Sequence, residues 1–218
     1  MVGKDMLDME RIAVTFTGRV KAWEGQLAYL KSLKQLRLPV DFFCSVGCYK
    51  EEFDAFVAAL DVASADYVTY ATDLPIDSYP RLGPGTRPYN IFSQAFHMKN
   101  VGRLIKEHAA KHGYEYKAII RWRVDLTCHT PFPMVWPIPP NTVFIPHGDD
   151  CGPGINDRCA YGDAETMLKL YDLYDSMQGF GEAGVPLQAE LYLLKHIQAA
   201  GIQIQRYELS TGFNEGRF

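Results

Sequence analysis

Three side chains that could bind phosphate or a metal ion alternate at the end of one apolar segment, YKAIIRWRVDL, at positions 116–126. Arg121, Arg123 and Asp125 follow an apolar run at positions 118–120. An arginine guanidinium binds phosphate through paired hydrogen bonds, and a carboxylate is a preferred ligand of divalent cations. Charges at the end of a buried strand are costly unless a polar group meets them. The segment therefore predicts either a site for a charged ligand or a structural Arg–Asp ion pair.

A second group of possible metal ligands lies in the segment HGDDCGPG, which contains His147, Asp149 and Asp150. These three residues could hold the metal ion of a hydrolase. The same combination of aspartate, glycine and proline is also typical of an ordinary turn. Both interpretations stay open at this point.

Glu190 is a further candidate because of its neighbours. It lies within helical spacing of Leu187, Leu191 and Leu194, so its carboxyl group is expected to be partly buried. A buried acid has a shifted pKa and needs a partner. This makes Glu190 a more interesting acid than one on an exposed helix face.

Apolar periodicity predicts alternating strands and helices, which is typical of an α/β fold with a largely parallel sheet covered on both faces. The predicted strands are Arg11–Phe16, Val40–Ser45, Asp66–Tyr70, the segment that ends at Asp125, Thr142–Pro146 and Ile202–Tyr207. The predicted helices are Trp23–Leu36, Glu51–Leu60, Ile91–Lys111, Asp163–Met177 and Pro186–Ala200. The Pro-, Gly- and Asp-rich stretch Ala71–Asn90 is expected to form a loop beside the site. Ligands of such sheets bind at the carboxyl ends of the strands, where Arg123 and Asp125 lie.

Composition limits the classes of function. The chain has 218 residues, 47% of them hydrophobic and 22% charged, which predicts one globular domain after a tail of about ten residues. A net charge of −4 without basic runs argues against nucleic acid as a partner. No apolar run reaches the ~18 residues of a membrane span. Five cysteines, an odd number, favour a reducing compartment and hence a cytoplasmic location, the host cytoplasm if the protein is viral.

Four segments, taken in order, resemble a group of small GT-A-type glycosyltransferases from bacterial surface-polysaccharide loci and large DNA viruses of algae, the chlorella-virus members above all. They are AVTFTGRVKAWE, YEYKAIIRWRVDL, VFIPHGDDCGPGINDRCAYGDAETMLKLYDLY and AELYLLKHIQAAGIQI. The resemblance implies a GT-A-like (Rossmann-like) mixed, mainly parallel sheet flanked by helices. It also allows the chain to be one domain of a longer protein. In the family's Asp-x-Asp motif a carboxylate holds a divalent cation, whereas here the first acid is replaced by Arg123.

Carried over residue by residue, the resemblance implies these roles. Thr15, Thr17 and Gly18 line the nucleotide pocket, Arg19 faces the diphosphate, either Arg121 or Arg123 positions the diphosphate or the sugar, and Asp125 binds Mn²⁺ or Mg²⁺. Apart from the resemblance, His147 is a candidate for a further ligand of that ion. Gly152, Gly154, Asn156 and Asp157 form the loop that faces the donor sugar and acceptor, and Asp157 or Glu190 serves as catalytic base.

The leading hypothesis is therefore a metal-assisted glycosyltransferase. It would move a hexose or deoxyhexose from a nucleotide-diphosphate sugar, most simply a UDP-sugar, to a hydroxyl group of a glycan. A non-catalytic module that binds nucleotide or glycan is the second hypothesis, because the motif has lost its first acid. The metal-dependent hydrolase using His147, Asp149 and Asp150 is the third.

Overall fold

The computed structural model of the protein describes residues 10–18, 20, 23–47, 49–72, 75–81 and 86–213. These residues form nine strands: β1 (Glu10–Thr17), β2 (Val40–Val46), β3 (Ser64–Tyr67), β4 (Glu115–Arg123), β5 (Leu126–Cys128), β6 (Thr142–Pro146), β7 (Cys159–Asp163), β8 (Gln203–Tyr207) and β9 (Thr211–Phe213). They also form six α-helices: α1 (Leu27–Ser32), α2 (Lys50–Leu60), α3 (Pro88–His112), α4 (Ala164–Tyr171), α5 (Leu173–Glu182) and α6 (Ala189–Ala199). Short 3₁₀ turns occur at Glu24–Gln26, Leu33–Gln35 and Ile76–Ser78.

Seven of these strands form one sheet in the order β3-β2-β1-β4-β7-β6-β8. Strands β1 to β4 are parallel to one another, and β6 is parallel to β8. Strand β7 is antiparallel to both of its neighbours, β4 and β6. A separate antiparallel pair joins β5 to β9. The predicted mixed, mainly parallel sheet is confirmed.

The two faces of the sheet are covered by different helices. One apolar core contains Ile119 of β4 together with residues of α3, α4, α5 and α6. The other contains Ile120 together with residues of α1 and α2. Because successive side chains of a strand point to opposite faces, Arg121 and Arg123 share the face of Ile119. Both arginines therefore point to the side of the sheet that α3 covers.

Two predicted helices were wrong in their continuity. The segment Asp163–Met177 is two helices, α4 and α5, with Asp172 between them at ψ 7°, and aspartate has a low helix propensity. The predicted cap is confirmed, since the Asp163 carboxylate accepts a hydrogen bond from the Thr166 amide at 3.0 Å. The segment Trp23–Leu36 contains just one short α-helix between two 3₁₀ turns.

Several boundaries also differ. The third strand is Ser64–Tyr67 rather than Asp66–Tyr70, and the last helix begins at Ala189 rather than Pro186. Helix α3 begins at Pro88 rather than Ile91, with a proline in its first turn, where the missing amide hydrogen costs nothing. Strands β5, β7 and β9 were not predicted, because each is three to five residues long and lies among turn residues. None of the described helices is apolar over a length that would cross a membrane.

Candidate functional site

A cavity of about 530 Å³ opens at the carboxyl ends of β1, β2 and β4, between the sheet and α3. Its described lining residues are Thr17, Gly18, Gly47, Tyr49, Tyr70, Tyr89, Asn90, Ser93, Gln94, His97, Arg123 and Asp125. The strand ends supply the two charged groups, whereas α3 supplies uncharged polar ones. This is the edge of the sheet at which the sequence places the site.

Two glycines line the cavity at the ends of β1 and β2. Gly18 follows β1 with φ +106°, a conformation that other residues rarely adopt. A Cβ atom on Gly47, which follows β2, would lie 2.4 Å from the carbonyl oxygen of Val68. Thr17 stands beside Arg123 in the register of β1 and β4, and its hydroxyl has no hydrogen-bond partner among the described residues. Strands β1 and β2 are therefore each followed by a glycine that a larger residue could replace only with strain.

Arg123 is held by carboxylates. Its Nε and Nη2 atoms donate to the two oxygens of Asp125 at 3.1 and 3.0 Å, and its Nη1 lies 3.7 Å from Asp157 Oδ1. Burial by itself would lower the pKa of Arg123, but Asp125 and Asp157 more than offset this, so that its pKa is raised. The guanidinium is thus cationic and fixed in direction at the cavity wall. Both oxygens of Asp125 are engaged by it.

Arg121 and Thr15 lie deeper than the cavity. Arg121 is 1% exposed, and its Nη1 donates to the backbone carbonyl of Asp157. Its Nε and Nη2 have no partner within the described part of the chain, and burial lowers the pKa of this guanidinium. The Thr15 hydroxyl lies 3.2 Å from the carbonyl oxygen of Ile120 and 2.5 Å from the Tyr171 hydroxyl. Neither residue lines the cavity.

Neither of the two predicted catalytic acids lines the cavity, although Asp157 lies beside Arg123. Asp157 is buried, and its Oδ2 accepts a hydrogen bond from Gln94 Nε2 at 2.9 Å. Glu190, at the start of α6, is half-buried. Burial and the negative charge of Asp157 raise the pKa of Glu190, against the opposing effect of Arg123 and of a backbone hydrogen bond. The raised pKa makes Glu190 a better proton acceptor than an ordinary glutamate.

The predicted acceptor loop packs directly on Glu190. The Ile155 amide donates to the Glu190 carbonyl at 3.2 Å, and a Cβ atom on Gly154 would lie 2.6 Å from the Glu190 backbone. Asn156 shapes the loop rather than facing the cavity. Its side-chain Nδ2 donates to the Gly148 carbonyl, and its Oδ1 accepts from the Arg158 backbone amide, both at 2.9 Å. Gly152 lies in the same loop with φ +55°.

Replacing Gly154 with alanine is expected to displace this loop from Glu190. Overpacking of this kind costs about 1–3 kcal/mol of unfolding free energy, and urea denaturation would measure it. Gly179→Ala is the control, because Gly179 lies inside α5 with open space around its Cα. That change should stabilise the protein by about 0.5–1 kcal/mol. Wild-type stability of Gly154→Ala would contradict the packing described here.

The described residues do not form a metal site. No group of three or more His, Cys, Asp or Glu side chains is placed among them to hold an ion. Asp149 pairs with Arg158, and Asp150 pairs with Arg206 at 3.0 and 3.1 Å. His147 is exposed, lies 4.0 Å from Glu208, and is not among the residues that line the cavity. The site required by the hydrolase hypothesis is therefore not formed, and Asp125 is left as a single carboxylate already paired with Arg123.

Sequence reasoning missed one side of the cavity. Asn90, Ser93, Gln94 and His97 follow the helical spacing i, i+3, i+4, i+7 and form a polar face of α3. That spacing is visible in the sequence, but the helix was predicted from its apolar stripe and its polar residues were not considered. We call these four residues the α3 polar face.

Tyr49, one of two exposed aromatic rings among the described cavity residues, was also missed. Tyr49 and Tyr89 are 40% and 48% exposed, and both line the cavity. Tyr49 has φ +58°, an unusual conformation for a residue other than glycine and one that is found preferentially at functional sites. Tyr89 is fixed by a hydrogen bond from its hydroxyl to the Tyr70 carbonyl at 2.7 Å. Arg19, the remaining predicted site residue, lies outside the described residues.

No protein-family model matches the chain, and a search of curated proteins found no similar sequence. Solved structures of similar fold include the apo form of the glycosyltransferase GlyE of Streptococcus pneumoniae TIGR4, with 14% identity and a TM-score of 0.46 over 88% of this chain and 44% of that chain. They also include the galactosyltransferase LgtC in complex with donor and acceptor sugar analogues, with 8% identity and a TM-score of 0.50 over 90% of this chain and 73% of that chain. The chain thus spans less than half of the GlyE structure, and the chlorella-virus resemblance is not shown. The likeness to LgtC is one of fold: the chain has the GT-A-like α/β fold that its sequence predicted.

Proposed function

We propose that the protein is a glycosyltransferase that moves a hexose or deoxyhexose from a UDP-sugar to a hydroxyl group of a glycan. The observation that carries the proposal is the cavity at the carboxyl ends of the parallel strands, in which a fixed arginine faces uncharged polar groups. A nucleotide sugar has the matching composition: a doubly charged diphosphate between two rings rich in hydroxyl groups. The fold shared with LgtC, whose structure holds donor and acceptor sugar analogues, supports the same assignment.

The cavity offers a partner for each part of such a donor. Arg123 would meet the diphosphate, because a guanidinium binds phosphate oxygens bidentately. Thr17 and the backbone at Gly18 would contact the nucleotide at the end of β1. Tyr49 and Tyr89 offer exposed rings on which a base or a sugar face packs.

Transfer breaks the bond between the sugar C1 and the diphosphate oxygen, and forms a bond between C1 and the acceptor oxygen. The electron pair of the broken bond leaves with UDP, whose charge Arg123 stabilises. If the configuration at C1 inverts, Glu190 takes the proton of the acceptor hydroxyl, with Asp157 as its alternative. If the configuration is retained, an oxygen of the departing diphosphate takes that proton.

Assistance by Mn²⁺ or Mg²⁺ stays a prediction. The described residues provide one carboxylate for an ion, Asp125, and Arg123 occupies both of its oxygens. The described residues by themselves therefore do not form a site for a cation. Among the described residues that line the cavity, the positive charge is that of Arg123.

A binding module without turnover is the second candidate. The observation that favours it is the replacement of the first acid of the family motif by Arg123, which then neutralises Asp125. Such a module would bind UDP and UDP-sugars but release no free UDP when a donor and candidate acceptors are supplied. Release of UDP that depends on acceptor concentration would exclude it.

Thermal stability in the presence of nucleotides is the first test of the proposal. UDP and UDP-sugars at about 100 times their Kd are expected to stabilise the fold by about 2.7 kcal/mol, because they bind the folded state alone. A screen of nucleotides and UDP-sugars, with and without Mn²⁺, would measure the shift in Tm. Stabilisation by UDP that increases with Mn²⁺ would support metal assistance. The absence of a shift in Tm with any nucleotide would contradict the proposed function. This test does not address the glycan acceptor or the cytoplasmic location, which stay predictions.

A further inference from the structure

A chain of hydrogen bonds crosses from the edge of the sheet to the α3 polar face. Asn100 Nδ2 donates to Asp66 Oδ2 and to Ser45 Oγ, both at 2.9 Å. Ser45 Oγ lies 2.9 Å from His97 Nδ1. Asp66 is neutralised by Arg103, whose Nη2 lies 3.0 Å from its Oδ2. The chain therefore ends at His97, one of the residues that line the cavity.

The direction of each donor in this chain follows from its partners. Asp66 accepts hydrogen bonds, so the atom of Asn100 that faces it is the NH₂ group. Arg103 donates to the other amide atom, Oδ1, at 3.1 and 2.9 Å, which fixes the same orientation independently. Both hydrogens of the Asn100 NH₂ group are then in use, one on Asp66 and one on Ser45.

The hydrogen bonds of Ser45 determine which ring nitrogen of His97 carries the hydrogen. Its side chain is fully buried, so its own hydroxyl hydrogen requires an acceptor. One of its two described partners, Asn100, is a donor, and the other is Nδ1 of His97. Nδ1 must therefore accept, and the hydrogen of the neutral imidazole lies on Nε2.

The Nε2–H group is left for the cavity. No described residue forms a hydrogen bond with Nε2. This atom is not fully buried, so a ligand in the cavity that His97 lines can reach it. Burial lowers the pKa of His97 to about 4, against the opposing charge of Asp66, so the ring is neutral at pH 7. His97 thus presents a neutral hydrogen-bond donor of fixed direction.

We infer that His97 donates a hydrogen bond from Nε2 to a hydroxyl oxygen of the bound nucleotide sugar, on the sugar or the ribose, and that Ser45, Asn100 and Asp66 position it for this. The inference rests on the proposed function and assigns the α3 polar face to the uncharged part of the donor. The other members of that face, Asn90, Ser93 and Gln94, are also neutral. The diphosphate has a better partner in Arg123, which is charged and can bind it with two hydrogen bonds.

The tautomer can be read in the protein without ligand. In ¹⁵N-labelled protein, long-range ¹H–¹⁵N spectra distinguish a protonated ring nitrogen from an unprotonated one, and His97→Gln identifies the signals of His97. We expect Nε2 to carry the hydrogen at pH 7, and Ser45→Ala to give a mixture of tautomers. A hydrogen on Nδ1 in the wild-type protein would overturn the positioning chain.

Binding tests the role. His97→Met removes the donor with little change in volume, whereas His97→Gln retains an N–H group at a similar distance from the backbone. Calorimetry with UDP, UDP-glucose and UDP-galactose should show about tenfold weaker binding of the sugar nucleotides to His97→Met, the loss expected for one hydrogen bond. His97→Gln should recover most of it. Binding of UDP to His97→Met would weaken by the same factor if the hydroxyl oxygen bonded by His97 is on the ribose. It would be unaffected if that oxygen is on the transferred sugar.

The possible failures are distinguishable. An unchanged Tm would show that the His97→Met variant is folded. If that folded variant binds the sugar nucleotides with wild-type affinity, the role of His97 is overturned and the proposed function stays intact. Equal weakening in His97→Gln and His97→Met would show that the ring matters for packing rather than as a donor, which also overturns it. If the wild-type protein binds none of these nucleotides, the proposed function itself fails, whatever tautomer is observed.

Discussion

Replacing Glu190 with glutamine is expected to lower kcat of sugar transfer by a factor of about 10² to 10⁴, the usual contribution of a general base. The change keeps the size of the side chain and removes its ability to take a proton from the acceptor. UDP release measured at saturating donor and acceptor would give this factor. Glu182→Gln is the matched control, because Glu182 is an exposed acid on α5 and should not affect kcat.

The pH dependence gives a second view of the same residue. Burial and Asp157 raise the pKa of Glu190, so the loss of activity on acidification should begin at a higher pH than for an ordinary glutamate. Glu190→Gln should remove this acidic limb from the profile of kcat against pH. An acidic limb that persists in Glu190→Gln would assign the base to another group, with Asp157 as the next candidate.

The same pKa shift has a consequence for stability. Because the folded state binds the proton of Glu190 more tightly than the unfolded chain does, the stabilisation from protonation is present below the ordinary glutamate pKa. It is lost as the pH rises through the raised pKa of the folded state. Glu190→Gln should therefore be more stable than the wild-type protein at pH 7, and this difference should shrink at acidic pH.

The fold could be predicted from the sequence because its main strands and helices have clear apolar periods. The position of Arg123 and Asp125 at the edge of the sheet also follows from a general rule, that parallel strands present their carboxyl ends to ligands. The depth of Arg121 does not follow from the rule, since it depends on how α4 and α5 cover the strand. Its backbone partner, Asp157, is 36 residues away along the chain.

Other parts of the site depend on contacts that no local pattern reveals. Thr15 is typical of a residue at a nucleotide pocket, yet its hydroxyl bonds Tyr171, which is 156 residues away. The pairing of His97 with Ser45 joins α3 to β2, elements with separate sequence signals. Tyr49 reaches the cavity through a backbone conformation that the sequence does not indicate. Residue types thus predicted the edge of the sheet, whereas tertiary packing decided which side chains line the cavity.

Replacing Arg123 with alanine is expected to weaken binding of UDP by a factor of about 10 to 100, because a hydrogen bond to a charged group contributes about 1.5–3 kcal/mol. Binding of uridine, which lacks the diphosphate, should change little. Arg123→Lys keeps the charge but loses the paired donors, so its affinity for UDP should fall between those of the wild-type and alanine variants. Calorimetric titration with UDP and uridine would give all of these affinities.

The change also removes the partner of Asp125 and a nearby counter-charge of Asp157, so a fall in stability must be separated from a loss of binding. Titrations at a temperature well below the Tm of each variant achieve this. Arg37→Ala is the matched control, because Arg37 is exposed and its guanidinium lies over the ring of Trp136, which packs against the core on the other face of the sheet. If Arg123→Ala weakens the binding of UDP and of uridine by the same factor, the arginine shapes the cavity without binding the diphosphate. A selective loss of UDP binding would instead show that Arg123 binds the diphosphate.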